Sequence, residues 1–156
     1  MKITSKISAA IVLTTMSGLL YAQVVDVQGA WARATTPGQK ATGAYMKLTA
    51  ATGAKLISAS SPAAGSVELH ESKMEGNVMQ MRAVQGGLDL PMARAIELKP
   101  NGMHIMLMDL KAPLLKDTTV PLTLRFKDRK GAEFKTEVKV PVSANAPAAM
   151  TIPMGK

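Results

Sequence analysis

Beyond the first two dozen residues the chain holds no long helical period. Apolar residues recur instead in short runs, at 24–34, 43–49, 55–58, 66–71, 78–84, 95–98, 103–110, 119–127 and 133–140. Turn-forming residues stand between them: Thr36-Pro37-Gly38, Ser61-Pro62, Glu75-Gly76-Asn77, Gly86-Gly87 and Lys99-Pro100-Asn101-Gly102. Many short runs with this punctuation predict an all-β sandwich or barrel. Residues 122–127 and 133–140 alternate apolar and polar, as a strand with one buried face does. Asp128-Arg129-Lys130-Gly131 between them predicts a hairpin turn. No internal repeat is present, and residues 143–156, rich in Ala and Pro, predict a flexible tail.

The opening residues follow a different logic. Lys2 and Lys6 precede an apolar run that ends in a small residue, Ala22. A positive start, a short apolar middle and a small final residue describe a secretory signal over residues 1–22. Ser8, Thr14, Thr15, Ser17 and Gly18 interrupt that run, which makes a poor membrane span. The expectation is therefore an exported, periplasmic domain over residues 23–142, with no stable membrane insertion after signal cleavage. The chain has 156 residues and no cysteine. One core of this size holds without disulfides. Thiolate copper and zinc sites are excluded with the cysteines. The formal charge is +8 with only five aromatic residues, one Trp, two Tyr and two Phe. Base-stacking platforms need more aromatics than that, and export argues against nucleic acid as a partner.

Methionine changes the picture. Of 12 methionines, seven fall between residues 74 and 108: Met74, Met79, Met81, Met92, Met103, Met106 and Met108. Both histidines, His70 and His104, fall in or beside that window. A single Met is ordinary core filling. Strand geometry gives the cluster more meaning, because residues two apart share a face. Met103, Ile105 and Leu107 make a plausible core face, which puts His104, Met106 and Met108 together on the other. Met79 and Met81 share a face, and His70 joins Glu68 opposite Val67 and Leu69. Thioethers are soft and uncharged and favour Cu(I) or Ag(I) over Zn(II), Ca(II) or Mg(II). Imidazole suits copper in either oxidation state.

The sequence also resembles a family. Ala30-Trp31-Ala32-Arg33-Ala34-Thr35-Thr36-Pro37-Gly38, then Gly43-Ala44-Tyr45-Met46, is similar to the first strands of PCu(A)C periplasmic copper chaperones. His70, ten residues, Met81, 22 residues, then His104-Ile105-Met106 resembles their metal motif. The likeness runs from about residue 24 to 142. It implies a cupredoxin-like, Greek-key β-sandwich and a Cu(I) site made by His70, Met81, His104 and Met106. It further implies delivery to a copper-accepting protein, such as the dinuclear copper subunit of cytochrome c oxidase, or to a second copper chaperone. Two departures stand out. Ser72 occupies the place where many members carry a Met, and the tail holds Met150 and Met154 but no His, which weighs against a separate Cu(II) site there. Met79 and Met108 remain open as alternative sulfur ligands.

Sequestration of copper or silver for tolerance would use the same ligands. An enzyme fits less well, since there is no Cys, no third His and no nucleophile–base arrangement. A basic adhesive sandwich with a merely structural Met cluster is the remaining alternative. Trp31 is expected in the core, the alternative being a place near the metal where it reports on the ion. Arg33 and Arg82 are expected on a solvated face or in ion pairs, the alternative being contact with an acidic partner.

Overall fold

The computed structural model describes residues 25–147. The expected signal over residues 1–22 and the last part of the expected tail, 148–156, lie outside the described residues. Within them, the alternating runs become ten strands. These are β1 (Val25–Arg33), β2 (Ala41–Ala50), β3 (Ala54–Ser60), β4 (Ala64–Glu75), β5 (Val78–Ala83), β6 (Leu88–Leu90), β7 (Ala95–Leu98), β8 (Met103–Leu110), β9 (Thr119–Asp128) and β10 (Glu133–Ser143). The chain is all-β, as the pattern predicts. β6 is the strand that the pattern did not single out. It has three residues and follows Gly86 and Gly87, both at positive φ, and Gly87 lies so close to the Leu56 carbonyl that a Cβ would overlap it.

One hydrogen-bonded path joins the strands in the order β5-β4-β8-β2-β1-β10-β9-β3-β6, with β7 on β2. It folds over at β1–β10, a short parallel seam of Ala32 opposite Val142 and Arg33 opposite Ser143. The two layers bury a common core. Ala44, Met46, Leu48, Ile105 and Leu107 come from the first layer, and Leu56, Leu122, Leu124, Phe126 and Val140 from the second. Every second residue faces inward, which is the alternation seen in the sequence. The β9–β10 turn is held by Asp128, whose Oδ1 accepts from the Lys130 and Ala132 amides at 2.8 Å each.

Two irregularities in the first layer position what lies on its outer face. In β1 the register slips by one residue between Gln28 and Trp31, at Gly29, whose φ is +58°. Such a bulge reverses which side each later residue faces. Val25 and Val27 point inward, opposite Ala50 and Leu48, whereas Trp31 points outward, opposite Tyr45. Trp31 is buried, as expected, but it packs on Tyr45 and is not part of the main core cluster. Secondly, β7 and β8 run end to end along the same edge of β2: Ala95–Leu98 pair with residues 46–49 of β2, and Ile105–Met108 with residues 41–44. The Lys99–Gly102 loop between them is closed by Lys99 N–H on the Met103 carbonyl (2.7 Å) and Gly102 N–H on the Lys99 carbonyl (3.1 Å).

Candidate metal centre

Residues paired across a sheet point to the same side, so the register orders the outer face of the first layer into rungs. The central rung carries His70 of β4 opposite His104 of β8, with Ala83 of β5 beyond. Next to it on one side lies Met106, opposite Glu68 and Gly43. Next on the other side lies Met81, opposite Ser72. Met108, opposite Ser66 and Ala41, and Met79, opposite Met74, lie one rung further out at the two ends. At about 3.3 Å per residue, Met81 and Met106 are each displaced about 7 Å along the strands from the histidine rung, and Met79 and Met108 about 13 Å. All four expected ligands therefore share one face, and the two alternative sulfurs are the more remote pair.

The two imidazoles lie with ring centroids 6.1 Å apart and planes tilted by 51°. Their hydrogen bonds leave each with one nitrogen free. His104 is 2% exposed, and its Nδ1 lies 2.9 Å from the Gly102 carbonyl oxygen. A carbonyl only accepts, so Nδ1 carries the proton and Nε2 keeps its lone pair. The same carbonyl accepts the Ser72 N–H at 3.0 Å, tying β4 to the loop that orients the ring. His70 places Nε2 3.1 Å from Glu68 Oε2. The carboxylate also only accepts, so the free lone pair of neutral His70 is on Nδ1. That atom is buried and has no hydrogen-bond partner among the described residues. A buried polar atom without a partner is costly, and a metal ion is one group that would satisfy it. Carboxylate–imidazole and carbonyl–imidazole pairs of this kind also orient metal-binding histidines.

The sulfurs differ in setting. Met106 lies on β8, flanked by β4 and β2, and is partly buried. Met81 lies on the edge strand β5 and is 51% exposed. Among the described residues no group of three or more His, Asp or Glu side chains is placed to hold a metal ion by itself. A hard-metal site built on carboxylates thus has no basis there.

Aromatic rings extend the histidine rung toward β1. Tyr45 lies 6.2 Å from His104, and Trp31 lies 4.6 Å from Tyr45, centroid to centroid. The Arg33 guanidinium sits 5.9 Å above the Tyr45 ring. Burial raises the Tyr45 phenol above its ordinary value, and the Arg33 charge partly offsets that. Arg82 pairs with Glu75 at 2.9 Å on the exposed side of the hairpin, as expected of an ion-paired arginine. Sequence reasoning did not assign roles to Tyr45, Gly102 or Glu68 at the site. Glu68 could have been found from its two-residue spacing to His70. The Gly102 contact depends on the loop and has no signature in the pattern.

The fold and this face define a class of domain, a cupredoxin-like β-sandwich with paired imidazoles on the outer face of one layer. The chain belongs to the LpqE-like family, described as "putative lipoprotein LpqE-like", whose profile matches residues 25–142. A relative from Leifsonia xyli subsp. xyli, named as a "putative lipoprotein", is 36% identical over 115 residues, covering 74% of this chain and 69% of its own. Among solved structures, the apo form of DR1885 from Deinococcus radiodurans is 32% identical with a TM-score of 0.57, covering 93% of this chain and 97% of its own. The Cu(I) form of the same protein is 34% identical with a TM-score of 0.56, covering 80% and 83%. A copper-bound PCuAC domain from PmoF2 has the same fold at 22% identity, with a TM-score of 0.60 and coverage of 78% and 94%.

Proposed function

We propose that the chain is a Cu(I)-binding protein without catalytic turnover that holds its ion with His70, Met81, His104 and Met106. The observation that carries this reading is the buried, unpartnered Nδ1 of His70 on the same rung as His104. The donor set fits the ion. Two neutral imidazoles and two thioethers leave the complex a monocation, which limits the cost of burying it, and the Glu68 carboxylate stands one hydrogen bond away. The relative solved with Cu(I) bound supports the same cargo. The lipoprotein descriptions of its relatives fit an exported chain, in keeping with the periplasmic location expected from residues 1–22. The ion is cargo here. Met81, half-exposed on an edge strand, is the donor that a recipient reaches most easily. The recipient we propose is a copper enzyme, in the first place the dinuclear copper site of cytochrome c oxidase, reached directly or through another chaperone.

Titration with Cu(I) against a competing chelator, followed by X-ray absorption at the copper edge, tests the site. Nitrogen and sulfur are expected in equal number in the first shell, with Nδ1 of His70 and Nε2 of His104 as the nitrogen donors by ¹⁵N NMR. A shell without sulfur overturns the assignment. Transfer from the loaded protein to an apo oxidase copper domain tests delivery separately.

A further inference from the structure

The β4–β5 hairpin outruns the layer it belongs to. β8 pairs with β4 only as far as Met103 opposite Glu71. Beyond that point β4 has β5 as its strand partner alone, helped by the Ser72 N–H on the Gly102 carbonyl. The projecting hairpin has two chemically distinct faces. One carries Glu71, Lys73, Glu75, Gln80 and Arg82, tied by Lys73–Glu71 at 3.1 Å and Arg82–Glu75 at 2.9 Å. The other carries Met74 opposite Met79, then Met81 opposite Ser72, then His70. Ser72 and His70, at the base of the hairpin, are covered, but every residue of β5 is exposed. Met74 is 59%, Met79 46% and Met81 51% exposed, whereas the core methionine Met46 is 0%. Packing accounts for Met46 but not for the three hairpin methionines, and the inner site uses only Met81 of these.

We propose that Met74 and Met79 form an outer docking site for a soft monovalent ion, Cu(I) or Ag(I), which moves from there by way of Met81 to the imidazole pair. The inference extends the copper reading of the inner site. Directly opposed residues place their Cβ atoms about 4.5–5.5 Å apart, and the flexible thioether arms let both sulfurs close on one ion. Thioether selects soft ions and carries no charge to hold a hard one. The outer site lacks imidazole and is open to water, so it binds more weakly than the inner one. Met81 is about 7 Å from the outer rung and about 7 Å from the histidine rung, and its exposed side chain serves either neighbour. Passage is ligand exchange alone: a sulfur–ion bond forms as another breaks at each methionine, imidazole nitrogen displaces sulfur at the last step, and neither the charge nor the oxidation state of the ion changes.

Ag(I), which unlike Cu(I) is not oxidised to a divalent ion by air, is the probe. The protein is titrated while methionine methyl and histidine ring signals are followed by NMR. The first equivalent is expected to shift the His70 and His104 rings, and further Ag(I) to shift the Met74 and Met79 methyls. The double variant Met74→Leu/Met79→Leu keeps side-chain volume. It should retain the first equivalent, lose the second, and load from dilute Ag(I) several-fold more slowly. Methyls that stay still through excess Ag(I), or a double variant that still takes the second equivalent, overturn the proposal. So does a response of these methyls only to an added recipient protein, which would make the hairpin a docking surface. Movement of the Met74 and Met79 methyls with silent imidazoles would instead leave the outer site standing and remove the inner assignment.

Discussion

Gly43 stands opposite Met106, and the Tyr45 ring leans back over it. A Cβ at position 43 would fall inside the phenol, only 2.7 Å from its Cζ. In Gly43→Ala the ring must therefore swing away, with Trp31 and His104 on either side of it at 4.6 and 6.2 Å. Overpacking of this kind costs about 1–3 kcal/mol, and the loss of the aromatic contact adds about 0.5–1.5 kcal/mol. The expected destabilisation is about 2 kcal/mol or more. Urea unfolding of the wild type, Gly43→Ala, Tyr45→Ala and the double variant measures it as a cycle. Tyr45→Ala removes the obstacle, so Gly43→Ala in that background should be close to neutral, or even gain a little, because Gly weakens a strand relative to Ala. A coupling energy below about 0.5 kcal/mol, the level expected of independent sites, would refute the reasoning.

Other outcomes follow from the same geometry. His104→Ala and Met106→Ala should each weaken Cu(I) binding by more than about tenfold, the smallest loss usual even for partners outside the ligand shell, in a chelator competition. Met92→Leu should leave binding unchanged, since Met92 is 56% exposed and pairs by an isolated bridge with Ala50, away from the histidine rung. Equal losses in all three would point to a diffuse methionine surface. The raised Tyr45 phenol makes a pH prediction. Above the ordinary phenol value of 10.0 the unfolded chain releases this proton first, so the folded state binds more protons and stability falls with rising pH. The stability of the wild type relative to Tyr45→Phe should then be constant below that value and fall above it, as read by denaturant unfolding in alkaline buffers. A constant difference would mean that the phenol titrates alike in both states.

Much of the architecture was legible because burial in a two-layer sandwich writes itself into alternation. Met103, Ile105 and Leu107 read as a core face, and the structure packs them there. The same parity placed His104 and Met106 together on the opposite side, which needed no knowledge of neighbouring strands. Bringing β8 beside β4 did need it. That pairing is long-range and has no signature in the local pattern; the family resemblance implied only that His70 and His104 share a site. Trp31 shows how a local irregularity defeats parity. With odd positions facing inward at Val25 and Val27, an unbroken strand would send Trp31 into the core. The extra residue at Gly29 turns it outward. β6 escaped notice because three residues are too few to show a period.

The turn at Gly29 also has an optical consequence. Trp31 is the chain's single indole, shielded from water at 1% exposure, and stands in file with Tyr45 and the two imidazoles. Its fluorescence should be that of an indole shielded from water. An ion seated at His104 would lie two rings away, close enough to alter that emission. One missing or added residue in the first strand would face the indole elsewhere, and the protein would lose an intrinsic lamp on its own occupancy.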